Sequence, residues 1–163
     1  MFLGLRKVDF LGHRVSVDGL EAHPKDLESL INILFPITLR AMESFLGSLN
    51  YFSRFIEDYA VYAAVLYELR ESDLHEFGRF RGINERSEDE RDNQWKEASM
   101  AFTMLKTKIA KTPTLRHFDP DRPPVIVVYA CKWAVSATLM QEYDGVYWPV
   151  TFTSRTLKAN ELN

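Results

Sequence analysis

The run Val125-Ile126-Val127-Val128 sets four β-branched residues in succession and continues into Tyr129-Ala130-Cys131-Lys132-Trp133. Side chains branched at Cβ are stiff and crowd a helix, so this segment reads as a strand. The absence of apolar–polar alternation predicts that it is buried on both faces. Pro123-Pro124 introduces it. Ala134 to Glu142 reads as a second strand, Tyr143-Asp144-Gly145-Val146 as a hairpin turn and Trp148 to Ser154 as a third strand. Lys158-Ala159-Asn160 reads as the approach to a helix, so this antiparallel meander is expected to be part of a larger domain.

Upstream, the apolar period is mostly helical. Val8 to Val17 forms strand-like sequence around Gly12, closed by Asp18-Gly19, and predicts a small β-hairpin. Pro24 opens a helix that should run through Leu30, Ile31 and Leu34 and stop before Pro36. Thr38 is a suitable N-cap for a stronger helix, in which Leu39, Met42, Phe45, Leu46, Leu49, Phe52, Phe55, Ile56 and Tyr59 recur at helical spacing. Ala60 to Leu69 adds further helix. From Glu71 to Asn93 charged residues crowd around Gly78 and Gly82 with few aliphatics, as in a solvated linker. Trp95, Ala98, Phe102, Leu105 and Ile109 then mark an amphipathic helix ended by Pro113, on which the meander is expected to pack. The fold class is α+β.

Composition narrows the function. The 163 residues are 46% hydrophobic and 13% aromatic, enough for a core, and the net charge is −3. That balance lacks the global basic excess of a stand-alone nucleic-acid binder, so any such contact has to come from a local patch. Arg40, Arg54, Lys106, Lys108 and Lys111 are the available cations. The single cysteine, Cys131, rules out an intramolecular disulfide and a Cys-rich zinc site, and points to an intracellular setting, cytoplasm or nucleus. The N-terminus is too short and too soon charged for a signal peptide. His13, His23, His75 and His117 are scattered rather than set at metal-ligand spacing.

Three segments carry a resemblance: FLGHRVSVDGLEAHPKDLESL, LRAMESFLGSLNYFSRFIEDYAVYAAVLYEL, and the stretch from WKEASMAFTMLKTKIAKTPTLRHFDPDRPPVIVV to SATLMQEYDGVYWPVTFTSRTLKANELN. In order and spacing the chain resembles the Pol polyprotein of gypsy-type LTR retrotransposons. The resemblance implies the end of a reverse-transcriptase palm at 1–23, a thumb-like helical lobe at 24–70, a charged linker at 71–93 and a partial RNase H-like domain at 94–163. It implies a helical lobe followed by a truncated antiparallel meander packed on a helix. Phe10-Leu11-Gly12-His13 looks like the primer-grip hairpin. The helix from Thr38 looks like the thumb helix that lies along the minor groove, with Gly47 and Tyr51 close to it. Glu43, one turn earlier, departs from the polar uncharged residue usual there. A glycine inside a helix costs about 1 kcal/mol against alanine, so Gly47 implies close approach, by nucleic acid or by another helix. Tyr51 and Arg54 suit stacking and phosphate contact, with packing and a solvated face as the alternative. Leu11, Gly12, His13, Gly47, Tyr51 and Arg54 are the candidate nucleic-acid-binding residues.

The chemistry of the family needs clustered carboxylates to hold magnesium ions. The Tyr/Phe-x-Asp-Asp turn of the polymerase does not occur in this sequence. Aligned through Ser136 to Gln141, the first-strand aspartate of RNase H falls on Tyr129, whose phenol is neutral at pH 7 and a poor ligand for a hard cation. Asp119, Asp121 and Asp144 are turn formers. Although the family comprises RNA-directed DNA polymerases and ribonucleases H, this chain is predicted to be catalytically incomplete. It is expected to retain binding to a template–primer, an RNA–DNA hybrid or DNA duplex, and to carry no cofactor, whereas the intact family uses Mg²⁺. The alternative is a non-enzymatic scaffold that meets a protein partner or a second copy through the truncated sheet.

Overall fold

The computed structural model describes residues 6–80 and 90–161. Strands β1 (Lys7–Phe10), β2 (His13–Ser16) and β3 (Gly19–Ala22) form one antiparallel sheet in that order. The expected hairpin is therefore two hairpins, with turns at Leu11-Gly12 and Val17-Asp18, and Gly19 already pairs with Ser16. Helix α1 (Pro24–Ile31) starts at His23, whose ring nitrogen accepts the Lys25 N–H at 3.3 Å. It stops short of Leu34, which is exposed. Helix α2 (Leu39–Tyr51) is capped by Thr38, whose hydroxyl accepts the Ala41 N–H. A 3₁₀ turn (Ser53–Phe55) leads to α3 (Tyr59–Tyr67).

Two expectations are corrected here. Residues 71–80 form helix α4 (Glu71–Phe80), not a solvated linker. Glu71 and Asp73 place negative charge in its first turn, the Asp73 carboxylate accepts the Arg70 N–H at 2.9 Å, and Leu74 is fully buried. Helix α5 (Glu90–Ala110) begins before residue 94, and the middle of the expected linker, 81–89, lies outside the described residues. The sheet of β4 (Pro124–Ala130), β5 (Ala134–Tyr143) and β6 (Val146–Thr156) does not seat on α5. Strands β5 and β6 rest on α3, and β6 also on the Ser53–Phe55 turn, while α5 packs against α3 and α1. The cause is the α3 sequence, YAVYAAVLY, apolar all the way round. A helix with no polar face has to be covered on two sides.

Hydrogen bonds join helix to sheet. Asp58, in the N-cap position of α3, sits in the left-handed region (φ 57°) and gives its own helix no side-chain cap. Its carboxylate instead accepts the Ser136 hydroxyl of β5. The vacant capping role is filled from β6, where the Ser154 hydroxyl oxygen accepts the Ala60 N–H at 2.9 Å. Trp133 donates its indole N–H to the Val61 carbonyl at 3.2 Å.

A continuous core runs from Ala22 through Met42, Phe45, Leu46, Leu49, Phe55, Ile56 and Leu66 to Leu105, Ile109 and Leu115. The first sheet is tied to the segment before β4 by a bridge in which Leu20 and Leu115 exchange backbone hydrogen bonds at 2.8 Å. Gly19 makes that approach possible: a Cβ there would lie 2.0 Å from the Leu115 carbonyl oxygen. Among the described residues no helix is long and apolar enough to cross a membrane.

Strand β4 overturns the opening expectation. Among the described residues it pairs with β5 alone, and every one of its residues is exposed, Ile126 and Val128 by 64% and 63%. A β-branched run is what a central buried strand would show, but here it forms an edge with neither face covered.

Candidate nucleic-acid interface

The β1–β2 turn places Leu11 (φ 46°) and Gly12 (φ 70°) both in the left-handed region, the geometry of a tight two-residue hairpin. For leucine this conformation costs about 1–2 kcal/mol, so the surroundings have to hold it. They do: the Tyr51 hydroxyl donates to the Leu11 carbonyl at 2.5 Å, and the His23 N–H donates to the Gly12 carbonyl at 2.9 Å. A side chain at Gly12 would meet Asp26 and Tyr51 at 3.3 and 3.4 Å.

Behind the turn, the His13 ring stacks on Tyr51 (centroids 5.2 Å apart, planes 4° apart) and meets Phe52 edge-on and Phe55 at a tilt. Its Nδ1 is buried without a hydrogen-bond partner. Burial, and after it the positive charge of Arg54, hold the imidazole below its usual pKa range, against an opposing pull from Asp26. The His13 ring thus braces the turn, and its surroundings disfavour the charged form.

Helix α2 buries Met42, Phe45, Leu46 and Leu49. Its other face exposes Arg40, Glu43, Ser44, Gly47, Ser48 and Tyr51, with Glu43, Gly47 and Tyr51 in line at successive turns. A Cβ built on Gly47 meets nothing within 4 Å. Packing among the described residues therefore does not explain this glycine. Arg54 is exposed just past the helix, its guanidinium 6.0 Å from the Phe55 ring centre.

The structure thus gathers Leu11, Gly12, His13 and Tyr51 into one unit, with Gly47 one turn back along α2 and Arg54 beyond it. Tyr129 is not part of it and lies on β4, opposite Ser136. Sequence reasoning missed Asp26, Ser29 and Ser48, which with Leu30, Tyr51 and Phe52 line a cleft of about 400 Å³ between α1 and α2. They fall on polar helix faces, where nothing in the spacing marks them. Two expected cations are also already engaged: Lys106 donates to the Ile33 carbonyl at 2.7 Å, and Lys108 pairs with Glu57 at 3.3 Å.

Among the described residues no three of His, Cys, Asp and Glu come together to hold an ion.

The profile of the RNase H-like domain found in reverse transcriptase matches residues 95–163, the part of the chain that holds most of α5 and the three-stranded meander. Over 96% of its length the chain is 28% identical to a retrovirus-related Pol polyprotein from the Drosophila melanogaster transposon opus, and over 97% it is 28% identical to that from transposon 297. It is also 25% identical to the Schizosaccharomyces pombe transposon Tf2-3 polyprotein. The chain is homologous to these transposon Pol polyproteins and spans 15%, 13% and 11% of their respective lengths. Its fold matches the foamy viral protease–reverse transcriptase, solved with double-stranded DNA (TM-score 0.67, 18% identity, 97% of this chain and 30% of that one). The same viral enzyme solved with an RNA/DNA hybrid matches at TM-score 0.63 and 18% identity, covering 96% of this chain and 19% of that one.

Proposed function

We propose that this chain is a nucleic-acid-binding part of a retrotransposon reverse transcriptase, and that the unit formed by the Leu11-Gly12 turn, Tyr51 and the open α2 face touches an RNA–DNA hybrid or DNA duplex. The observation that carries this is Gly47: a helix-interior glycine, costly to stability, where an added Cβ would meet nothing within 4 Å among the described residues. Complexes of the foamy viral enzyme with duplexes support it. The turn and Tyr51 supply backbone and an aromatic ring, and Arg40 and Arg54 supply charge. Contacts of this kind position a duplex without reading its sequence.

Catalysis is not part of the proposal. Two-metal chemistry needs several carboxylates around one phosphate, and Tyr129 stands where the family places the first of them in RNase H. Magnesium would then be a requirement of the intact polyprotein and not of these residues. With its single cysteine the chain suits a reducing compartment, cytoplasm or nucleus.

Fluorescence anisotropy with a labelled RNA–DNA hybrid tests the reading. With two cations engaged, log K is expected to fall against log salt with a slope of about −2. Absence of binding at low salt, or tight binding indifferent to salt, would refute it.

A further inference from the structure

We propose that Tyr51 acts on a bound duplex through the Leu11-Gly12 turn: its hydroxyl clasps the turn to the end of α2 and so fixes the spacing between the turn and the Gly47 face. The inference rests on the nucleic-acid reading and deepens it, by making Tyr51 a positioning residue.

The clasp is built from groups far apart in sequence. Tyr51 is the last residue of α2, and its hydroxyl donates to the Leu11 carbonyl at 2.5 Å across 40 positions. The rest of the side chain is held as well. The ring stacks on His13, and Phe52 stands perpendicular to it with centroids 5.1 Å apart. A tyrosine hydroxyl carries one proton, and here that proton is committed to the turn.

The turn needs such a hold. Positive φ at both Leu11 and Gly12 is the type I′ pattern, whose twist matches the flanking strands. A Leu-Gly pair has an easier choice in the type II turn, where the first residue takes an ordinary negative φ and the glycine keeps its positive one. That choice relieves the leucine, but it splays the strands and rotates the peptide that carries the Leu11 carbonyl. The cost of a left-handed leucine and the net contribution of one hydrogen bond are of the same order. Removing the bond is therefore enough to mix the two forms. The other carbonyl of the turn is held separately, by the His23 N–H at 2.9 Å, so loss of the hydroxyl frees Leu11 without unseating the hairpin.

The consequence concerns two surfaces at once. Gly47 lies one turn back on the helix that Tyr51 ends. With the turn fastened to that helix, a duplex meets both at a set distance, and the hydroxyl that sets it stays within the protein.

The test is a cycle of substitutions on the full chain. Tyr51→Phe deletes the hydroxyl and keeps the ring. It is expected to lower affinity for a labelled RNA–DNA hybrid by about 2- to 10-fold, with the circular dichroism spectrum unchanged. Leu11→Asn supplies a residue that accepts the left-handed backbone, and Asn-Gly forms the type I′ turn unaided. When Leu11→Asn is already in place, adding Tyr51→Phe is expected to lower affinity by less than about 2-fold, because the two sites are coupled. The comparison is with Leu11→Asn alone, so a direct role of the Leu11 side chain cancels. Hydrogen exchange in the free chain gives a second readout. The His13 amide, paired with Phe10 across the turn, should exchange faster in Tyr51→Phe and slow again when Leu11→Asn is added. Equal losses of affinity in the two backgrounds would overturn the proposal, because the hydroxyl would then touch the duplex itself. Unchanged affinity or unchanged His13 exchange in Tyr51→Phe would also overturn it. If the unmodified chain binds no hybrid at low salt, the nucleic-acid reading falls and takes the proposal with it, whereas the other three results, obtained with a chain that binds, overturn the proposal alone.

Discussion

Substituting Gly47 by alanine separates two explanations for a glycine inside a helix. The site has no neighbour within 4 Å of the added methyl, so the substitution creates no clash inside the chain. What remains is the intrinsic preference, about 0.8–1 kcal/mol in favour of alanine. For a chain of this size that corresponds to a rise in Tm of roughly 2–4 °C. If the α2 face meets a duplex closely, the same methyl intrudes on the contact. Overpacking a tight contact costs about 1–3 kcal/mol, so hybrid affinity should fall by on the order of 5-fold or more. The variant is thus expected to be more stable and to bind less well, a combination that general damage to the fold would not produce. Thermal unfolding followed by circular dichroism and anisotropy with a labelled hybrid give the two readouts. A lower Tm would mean that Gly47 serves packing, and an unchanged affinity at raised Tm would remove it from the interface.

Three further outcomes are expected. Because the folded-state pKa of His13 is depressed, the unfolded chain takes up the proton first, so stability is complete above pH ~6.5 and is lost as pH falls from there toward the folded-state value. His13→Phe should keep the stacked ring and lose that part of the pH dependence, measured as Tm at pH 7.5 and 5.5. Ser154→Ala removes the cap that β6 lends to α3 and should cost about 1 kcal/mol in denaturant unfolding; no loss would deny the cap a role. Tyr129→Asp should fold, since the position is half exposed, yet give no EDTA-sensitive cleavage of a hybrid in Mg²⁺ or Mn²⁺, because one carboxylate does not hold two ions.

Much of this was legible where local rules act alone. Thr38 and the apolar spacing from Leu39 onward marked α2, and Asp18-Gly19 marked a turn that falls one residue earlier, at Val17-Asp18. Burial was not legible in the same way. Val125 to Val128 would read alike in a central strand and at an edge, because what decides is the neighbour across the sheet. Helix α4 was hidden because, among its described side chains, Leu74 alone is buried and its charges look like a solvated segment until Asp73 is seen to reach back to Arg70. The seat of the sheet could have been found, since YAVYAAVLY has no polar side to give to water. Of the interface, the turn, Gly47 and Tyr51 stood out as residue types, whereas Asp26, Ser29 and Ser48 owe their place in the cleft to the packing of α1 on α2.

The borrowed cap of α3 has a consequence for the order of events during synthesis. Ala60 and Ser154 are 94 residues apart. At about 5–20 residues per second, a ribosome makes the serine roughly 5–20 s after the helix it completes. Throughout that interval α3 carries an unmatched N–H at its start and an apolar side that only β5 and β6 will cover. The nascent helical part is therefore a waiting surface, open to chaperones or to premature partners, and it closes only when the last strand arrives.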